Sequence, residues 1–284
     1  MRILQALTFS ILLVFPQANM FASNEPFYKK IDYTNIDLIG IVKNKGKGEY
    51  KIRTVQPLSI DEDNGDTIFL QGMIGNFSQF GKYRVGTNLG IGFRSFSDDY
   101  QKLYGYNFFY DSEPDPNHHR AGIGFEYKQS MFGITNNYYR GLTGKKTYGS
   151  SGLKEEVLDG VDIIVSGLLP SLEWIESDLS YAYWDSVEAS DLYEIKLGFN
   201  FNINDYITLN LQVEDDNQNS TSYSSGIRIN FGGKNRKRVT LYGNNKSNPS
   251  QDMRIYNLDP VKRSEKLTLE QSGSGLTVNV KKRG

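Results

Sequence analysis

Apolar and polar residues alternate one by one along much of this chain, and no helix-length apolar run follows the N-terminus. Between Tyr193 and Ile203, the odd-numbered residues are apolar and the even-numbered residues are polar or glycine. Because the side chains of a β-strand point alternately to its two faces, this pattern predicts a strand with one apolar and one polar face. Such a strand fits a soluble sheet over a core, or a membrane barrel with lipid outside and a wet lumen inside.

The same alternation predicts twelve strands, most of them long enough to cross a hydrocarbon layer at a tilt. Their polar faces carry both signs of charge and many glycines, which suit a crowded lumen better than the outer face of a soluble sandwich. We therefore predict an all-β fold, a 12-stranded antiparallel transmembrane β-barrel, with a soluble β-sandwich or barrel as the alternative. The predicted strands are Ile36–Lys43, Tyr50–Ile60, Thr67–Ser78, Tyr83–Phe96, Lys102–Asp111, Arg120–Gln129, Met131–Leu142, Gly160–Leu169, Asp178–Trp184, Leu192–Asn204, Tyr206–Glu214 and Thr221–Phe231.

Composition narrows the classes of function. The 284 residues carry a net charge of -1 and no cysteine, and the mean hydropathy of -0.50 is too polar for helical membrane spans. A near-neutral charge gives no electrostatic case for nucleic acid. The absence of cysteine excludes a disulfide framework, a thiol nucleophile and thiolate metal sites. We expect no cofactor, no metal site and no nucleic-acid partner.

Both ends of the chain differ from the strand region. Arg2 and the apolar run that follows it, to Phe15, predict a signal peptide. The barrel is expected to end at Phe231, with 53 residues after it. The predicted organisation is a signal peptide at 1–22, a short periplasmic segment at 23–35, the barrel at 36–231, and a linker or tail at 232–284 with a small hairpin of Lys266–Glu270 and Leu276–Val280.

The last predicted strand resembles the β-signal that the outer-membrane assembly machinery reads. A polar residue, Ser224, is followed by Gly226, and alternate hydrophobic residues then include Ile229 and end at the aromatic Phe231. We expect this assembly machinery and periplasmic chaperones as partners, together with outer-membrane lipid.

Several segments, in their order and spacing, resemble the inverse autotransporter β-domain of the intimin and invasin family. The likeness covers roughly Tyr50–Glu270, and each segment is weak alone. The segments are Gly105–Asp111, His119–Tyr127, Asn137–Arg140, Thr143–Gly144, Gly160–Asp162, Gly167–Ser171, Leu197–Phe201, Ile207–Leu209 and, after the barrel, Arg254, Tyr256, Leu258, Val261–Arg263 and Leu267–Glu270.

The resemblance implies an outer-membrane barrel of Gram-negative bacteria whose C-terminal tail is threaded through, or plugs, the lumen. In that family the barrel anchors and exports the C-terminal segment by type V secretion, and no catalytic residue is needed. Relatives carry long adhesive passengers, whereas only 14 residues follow Glu270 here. We therefore expect one of three cases, namely a truncated or split gene product, a barrel without a passenger whose tail is a plug, or a barrel whose surface loops carry the function, and the family's adhesion to a host or cell-surface ligand transfers poorly. A porin-like or structural barrel with a plugged lumen is the alternative.

Charged residues of the polar face are the candidate functional residues. They either grip the threaded tail through charge-assisted hydrogen bonds, or pair with each other across strands and hydrate the lumen. We favour mutual pairing for most of them. The nine candidates are Arg84, Arg94, Arg120, Glu126, Lys128, Asp162, Glu194, Lys196 and Arg228.

Enzyme chemistry is the rival class of function. His118 and His119 lie near Asp115 in a predicted surface loop, and such a trio could hold a general base. No serine is tied to it, so we predict no catalytic residues and no enzyme activity.

Overall fold

Twelve antiparallel strands close into a barrel in the computed structural model, which describes residues 35–149, 152–232, 239–242, 252–273 and 279–281. The predicted all-β, 12-stranded architecture is confirmed. The predicted signal peptide and the segment before Asn35 lie outside the described residues. The barrel strands are β1 (Ile36–Lys43), β2 (Glu49–Ile60), β3 (Thr67–Gln79), β4 (Lys82–Phe96), β5 (Lys102–Glu113), β6 (His118–Gln129), β7 (Phe132–Gly141), β10 (Asp159–Leu169), β11 (Leu172–Asp185), β12 (Leu192–Asn202), β13 (Ile207–Asp216) and β14 (Ser222–Asn230).

Each barrel strand pairs with its neighbours in sequence order, and β14 closes the barrel on β1 in a register that runs from Asp37↔Asn230 to Lys43↔Ser224. The largest difference from the predicted strand limits is at β11, which begins at Leu172 rather than Asp178. The residues Leu172 to Ser177 do not alternate strictly in polarity, and the register with β10 shifts there at a bulge between Leu168 and Leu169. Because of this irregularity, the alternation of polar and apolar residues does not show where β11 begins.

The outer face is apolar and exposed along its strands. On β4, for example, Val85, Leu89 and Ile91 are large exposed hydrophobic residues, and their sequence neighbours point inward. A continuous apolar band of this kind is unfavourable in water and is the surface that a transmembrane barrel presents to lipid.

Inward glycines lie opposite inward aromatic side chains. Gly92 pairs with Phe69, Gly90 with Phe109, and Gly160 with Trp184. A Cβ at Gly92 would lie 2.2 Å from the ring of Phe69, and a Cβ at either of the other two glycines 2.3 Å from its aromatic partner. These glycines therefore make room for rings that lie flat across the neighbouring strand.

The two ends of the barrel differ in their connections. One end, which we name the turn end, carries the connections 61–66, 97–101, 130–131, 170–171 and 203–206. The opposite end, the loop end, carries 44–48, 80–81, 114–117, 142–158, 186–191 and 217–221. The longest connection is 142–158, which contains two short strands.

A second sheet of four strands, the cap sheet, combines that long connection with the C-terminal part of the chain. Its order is β16-β15-β9-β8, and β15 pairs antiparallel with both β9 and β16. The β8–β9 pair lies between the predicted strands Met131–Leu142 and Gly160–Leu169, where the alternation predicts no strand. The strands of the cap sheet are β8 (Lys146–Tyr148), β9 (Leu153–Val157), β15 (Leu269–Ser272) and β16 (Asn279–Lys281).

A short 3-10 helix spans Met253–Tyr256. Across the described ranges, no helix has the length and apolar character needed to cross a bilayer.

Candidate functional site: the lumen and the tail segment

Residues 252–273, which we name the tail segment, contact inward-facing residues from one end of the barrel to the other. At the turn end, the backbone N–H of Met253 donates to the carbonyl of Tyr100 at 2.8 Å. At the loop end, Gln79 donates through Nε2 to the carbonyl of Leu267 at 3.1 Å. The chain direction within the barrel is therefore from the turn end to the loop end.

Arg94 on β4 binds the first part of the tail segment. Its fully buried guanidinium forms a two-pronged ion pair with Glu126 on β6, with N···O distances of 2.9–3.0 Å. The same group donates to the carbonyls of Tyr256 at 3.2 Å, Asn257 at 2.8 Å and Asp259 at 2.7 Å. Because a guanidinium has five donors in a fixed plane, one residue satisfies both the carboxylate and the tail backbone.

Charged residues of the tail segment then pair with separate parts of the wall. Arg263 binds Asp111 on β5 at 2.6 Å. Lys262 contacts the carboxylates of Glu176, at 2.7 Å, and Asp178, both on β11. Consecutive side chains of an extended segment point in opposite directions, so Lys262 and Arg263 bind different strands.

Glu265 extends this ladder to a third part of the wall. Its carboxylate binds Lys51 and Arg53 on β2, both at 2.9 Å. Lys262 binds β11, Arg263 binds β5 and Glu265 binds β2. The tail segment is therefore held by three strands that are far apart in the barrel order. Buried ion pairs are costly when one partner is removed, so this ladder fixes the depth of the tail segment.

Three uncharged side chains of the wall and Arg120 satisfy backbone groups of the tail segment between Val261 and Ser264. Gln71 accepts from the N–H of Val261 at 2.9 Å, and Asn137 donates to the carbonyl of Lys262 at 3.0 Å. At Ser264, the N–H donates to the hydroxyl of Tyr139 at 2.8 Å and the carbonyl accepts from Arg120 at 2.7 Å. Buried backbone groups need such partners.

At the loop end the tail segment joins the cap sheet. The carboxylate of Glu270 accepts hydrogen bonds from three successive backbone N–H groups, those of Val187 at 2.9 Å, Glu188 at 3.0 Å and Ala189 at 2.6 Å. Such a row of N–H groups is a small anion-binding concavity. Close by, a hydrogen bond from Lys145 lowers the pKa of Glu188. Burial raises the pKa of Glu156.

A comparison with known protein families identifies the family of this barrel. The model of the family described as "Inverse autotransporter, beta-domain" matches residues 24–265. The chain belongs to the inverse autotransporter β-domain family. It is accordingly an outer-membrane β-barrel.

Two intimins are among the relatives of this inverse autotransporter barrel. Intimin of Citrobacter freundii is 30% identical over 160 residues, which cover 52% of this chain and 17% of the relative. Intimin of Escherichia coli O127:H6 is 28% identical over the same shares of both chains. The match thus spans about a sixth of these relatives' length. A solved membrane-protein structure, from work on in-meso crystallisation, superposes with a TM-score of 0.64 at 20% identity, over 84% of this chain and 100% of the other, which shows the shared fold.

Three of the nine charged candidates in the inverse autotransporter barrel bind the tail segment directly. They are Arg94, Arg120 and Lys128, whose ammonium lies 3.8 Å from Asp259 and 5.3 Å from the ring centre of Tyr256. Two more, Glu126 and Asp162, bind residues that hold the tail: Glu126 binds Arg94, and Asp162 accepts from Asn137 and Tyr139.

The other four candidates lie elsewhere on the inner face. Arg84 binds Glu113 at 2.7 Å and also Glu155 of the cap sheet at 2.6 Å. Lys196 lies between Glu194 and Glu214, at 2.7 and 3.4 Å. Arg228 donates to the hydroxyl of Thr208 at 3.0 Å. The inner face thus combines tail contacts and cross-strand pairs.

Several residues that bind the tail of this autotransporter barrel are not among the nine candidates predicted from the sequence. Gln71, Asn88, Asn137 and Tyr139 carry no charge, and a search for charged candidates passes over them. Asn88, for example, donates to the carbonyl of Glu265 at 3.0 Å. Their position on the polar face was visible in the alternation, but their target, a backbone group 125 or more residues away in sequence, was not.

The β-signal candidates lie at the closing seam of the barrel. Ile229 and Phe231 point outward and are exposed, and the N–H of Phe231 donates to the carbonyl of Ile36 at 2.9 Å. Ser224 and Gly226 pair with Lys43 and Ile41 of β1. Their role as an assembly signal stays a prediction.

The histidine pair supports the loop end of the autotransporter barrel. His118 is buried with Nδ1 3.0 Å from the hydroxyl of Thr143, which also accepts from the N–H of His119 at 3.2 Å. The ring of His119 stacks on Tyr110 with 5.4 Å between centroids. These contacts tie the start of β6 to the connection that leads to the cap sheet.

Proposed function

We propose that this barrel is the translocator and membrane anchor that exports its own C-terminal segment to the cell surface by type V secretion. The observation that carries the proposal is the set of wall-to-tail hydrogen bonds, from Tyr100 at the turn end to Gln79 at the loop end. An even number of strands returns the chain, after β14, to the side on which β1 begins. With that side in the periplasm, the tail segment leads outward.

The length of the tail segment fits this role. Between the contact of Met253 with Tyr100 and that of Leu267 with Gln79, it reaches from the turn end to the loop end, and so across a hydrocarbon core of about 30 Å. The anchoring function rests on the charge ladder of Lys262, Arg263 and Glu265, because pulling the segment out would leave buried charges without partners.

An adhesion-related role towards a host or cell-surface ligand is proposed for the parts of the molecule that lie at the cell surface. The support is the likeness to intimins over the barrel region. Insertion into the outer membrane is proposed to use the assembly machinery and periplasmic chaperones, with the seam strand β14 as the recognised element.

Surface accessibility of an epitope tag after Gly284 tests the export proposal. Antibody labelling of intact cells is expected, because the tail segment leads to the loop end. Matched tags in the connections 203–206 and 217–221 report the turn end and the loop end, respectively. If the terminal tag behaves like the 203–206 tag and is labelled only after permeabilisation, the export proposal is wrong.

A porin-like or structural barrel with a plugged lumen is the second candidate function. The density of contacts around the tail segment favours a plug as much as an exported linker. Conductance in planar bilayers of the full chain and of a chain ending at Phe231 tests it. Removal of the tail is expected to raise the conductance, and an unchanged conductance would contradict both functions that place the tail in the lumen.

A further inference from the structure

The lumen has a second side that the tail contacts described above do not cover. Those contacts fall on β2 to β7, on β11 and on connections at both ends of the barrel. On β12, β13, β14 and β1, many inward residues are only half-buried, so solvent reaches them inside the barrel. These half-buried inward residues are Lys196, Asn200, Asn210, Gln212, Glu214, Ser222, Ser224, Gly226, Arg228, Ile39, Ile41 and Lys43.

Towards the turn end this solvent-accessible side stops at a layer of buried polar side chains, which we name the floor: Asp37, Asn202, Thr208 and Asn230. Thr208 donates to Asn202 at 3.1 Å, and Asn230 donates to Asp37 at 2.7 Å. All four are at most 7% exposed. The half-buried inward residues thus continue to the loop end, at Lys43 and Ser222, and give way to buried side chains towards the turn end.

A cleft on the far side of the floor opens at the turn end. Its lining includes Asn202, Thr208 and Asn230 of the floor and Arg228 just above it. Residues of the connection 203–206 and Thr240 complete it. Asn202, Thr208 and Asn230 therefore lie between this cleft and the half-buried inward residues Asn200 and Asn210.

The floor is also hydrogen-bonded to the tail segment. Asn35 accepts from Asn230 at 2.6 Å and donates to the carbonyl of Leu258 at 2.7 Å. Movement of the tail at Leu258 would therefore disturb the floor directly.

We propose that β12, β13, β14 and β1 enclose a side channel for small hydrophilic solutes, parallel to the tail segment and gated by the floor. Its walls carry amides, hydroxyls and both signs of charge, Lys43, Lys196 and Arg228 against Glu194 and Glu214. A mixed lining of this kind admits cations and anions alike. The proposal goes beyond export, because the channel conducts while the tail stays in place.

Cysteine accessibility tests the channel, since the chain has no native cysteine. Asn210→Cys lies near mid-height on the solvent-accessible side, and Asn107→Cys lies near mid-height on the tail side, where Asn107 is 8% exposed. The probes are an anionic sulfonate and a cationic ammonium methanethiosulfonate, applied to intact cells. We expect Asn210→Cys to react about tenfold faster than Asn107→Cys with both probes, because thiol reactivity follows access.

The outcomes separate this channel from the export proposal. Slow reaction at both sites would overturn the channel while leaving the tail in the lumen. Equally fast reaction at both sites would mean that the tail does not fill its side, and both proposals would fall. Protection of Asn107→Cys that is lost when the chain ends at Phe231 supports the division into two sides.

The gate is tested by conductance of the full chain in planar bilayers. Thr208→Ala removes the hydroxyl that joins Asn202 and Arg228, and we expect the conductance to rise about twofold or more, with a reversal potential near zero in a KCl gradient. Thr135→Ala is the matched control, an inward buried threonine on the tail side. Unchanged conductance in Thr208→Ala, or the same rise in both variants, would overturn the gate.

Discussion

The inner faces of β3–β7 and of β12–β14 differ, although both strand sets show lipid the same apolar outer face. On β3–β7 the inward residues are buried rings, glycines and ion pairs around the tail segment. On β12–β14 they include amides, hydroxyls and the half-buried charges of Lys196, Glu214 and Arg228. The outward residues of a barrel strand therefore determine its place in the membrane, whereas the inward residues determine what occupies the lumen.

The two sides also differ in what their charges contribute to stability. Arg94 and Glu126 are fully buried, and the ion pair between them compensates both buried charges. Arg228 is half-exposed, where water screens its interactions and a substitution costs little.

Arg94→Ala is expected to have the largest effect. The change strands the buried carboxylate of Glu126 and removes donors from three tail carbonyls. We expect a loss of about 3–5 kcal/mol in the free energy of unfolding, measured by urea denaturation in lipid vesicles, and faster proteolysis of the tail.

Arg228→Ala is the matched control on the other side of the lumen, with an expected loss of about 0–1 kcal/mol. Equal losses in the free energy of unfolding of the two arginine variants would contradict the difference between the two sides of the lumen.

Gly92→Ala is expected to have the next largest effect. A Cβ there would lie 2.2 Å from the ring of Phe69, which is packed on the tail side and cannot move away freely. Overpacking of this kind costs about 1–3 kcal/mol, which thermal unfolding in detergent would report. Gly198→Ala on β12 is the control, because its Cβ would have no neighbour closer than 3.9 Å. A larger loss at Gly198 than at Gly92 would contradict the packing difference.

The strands and their faces could be predicted from the sequence, because a period of two is a local property. β1 appears with the predicted limits, Ile36–Lys43, although adjacent apolar residues interrupt its alternation at Leu38–Ile39 and Ile41–Val42. The β8–β9 pair could not be predicted, because Lys146–Tyr148 and Leu153–Val157 depend on β15, more than 100 residues later, for the rest of their sheet.

The candidate site was predictable only in part. Charge and alternation placed Arg94 and Arg120 on the inner face, but their target is the tail backbone, whose position depends on the closed barrel. The amides of Gln71 and Asn137 gave no separate signal. The difference between the two sides of the lumen was also hidden, since the alternation looks the same on both.

The smallest expected effect lies in the cap sheet. A change there should leave the contacts on both sides of the lumen as they are. Glu156 lies opposite Glu270 in the register of β9 and β15, and like charges there repel. We expect Glu156→Gln to stabilise the cap by about 0.2–1 kcal/mol at neutral pH, measured by amide hydrogen exchange in β15.

This gain should depend on pH. Burial raises the pKa of Glu156 in the folded protein, so its ionised form opposes folding at pH values above that pKa. As the pH falls through this pKa, the Glu156 carboxylate of the folded protein becomes protonated. The gain in stability from Glu156→Gln then disappears. An advantage that grows as the pH falls would contradict this assignment.

The arrangement of β9, β15 and β16 determines how the molecule responds to tension on the C-terminal end of the chain. Lys281 pairs with Leu269, so a pull on the end of β16 separates that pair first and opens the β15–β16 hairpin one bond at a time. The same pull next acts along β15, where the bonds to β9 lie across the direction of force and must break together. The hairpin therefore lengthens under a weak pull, while the β9–β15 pairing and the charged residues below it resist a strong one.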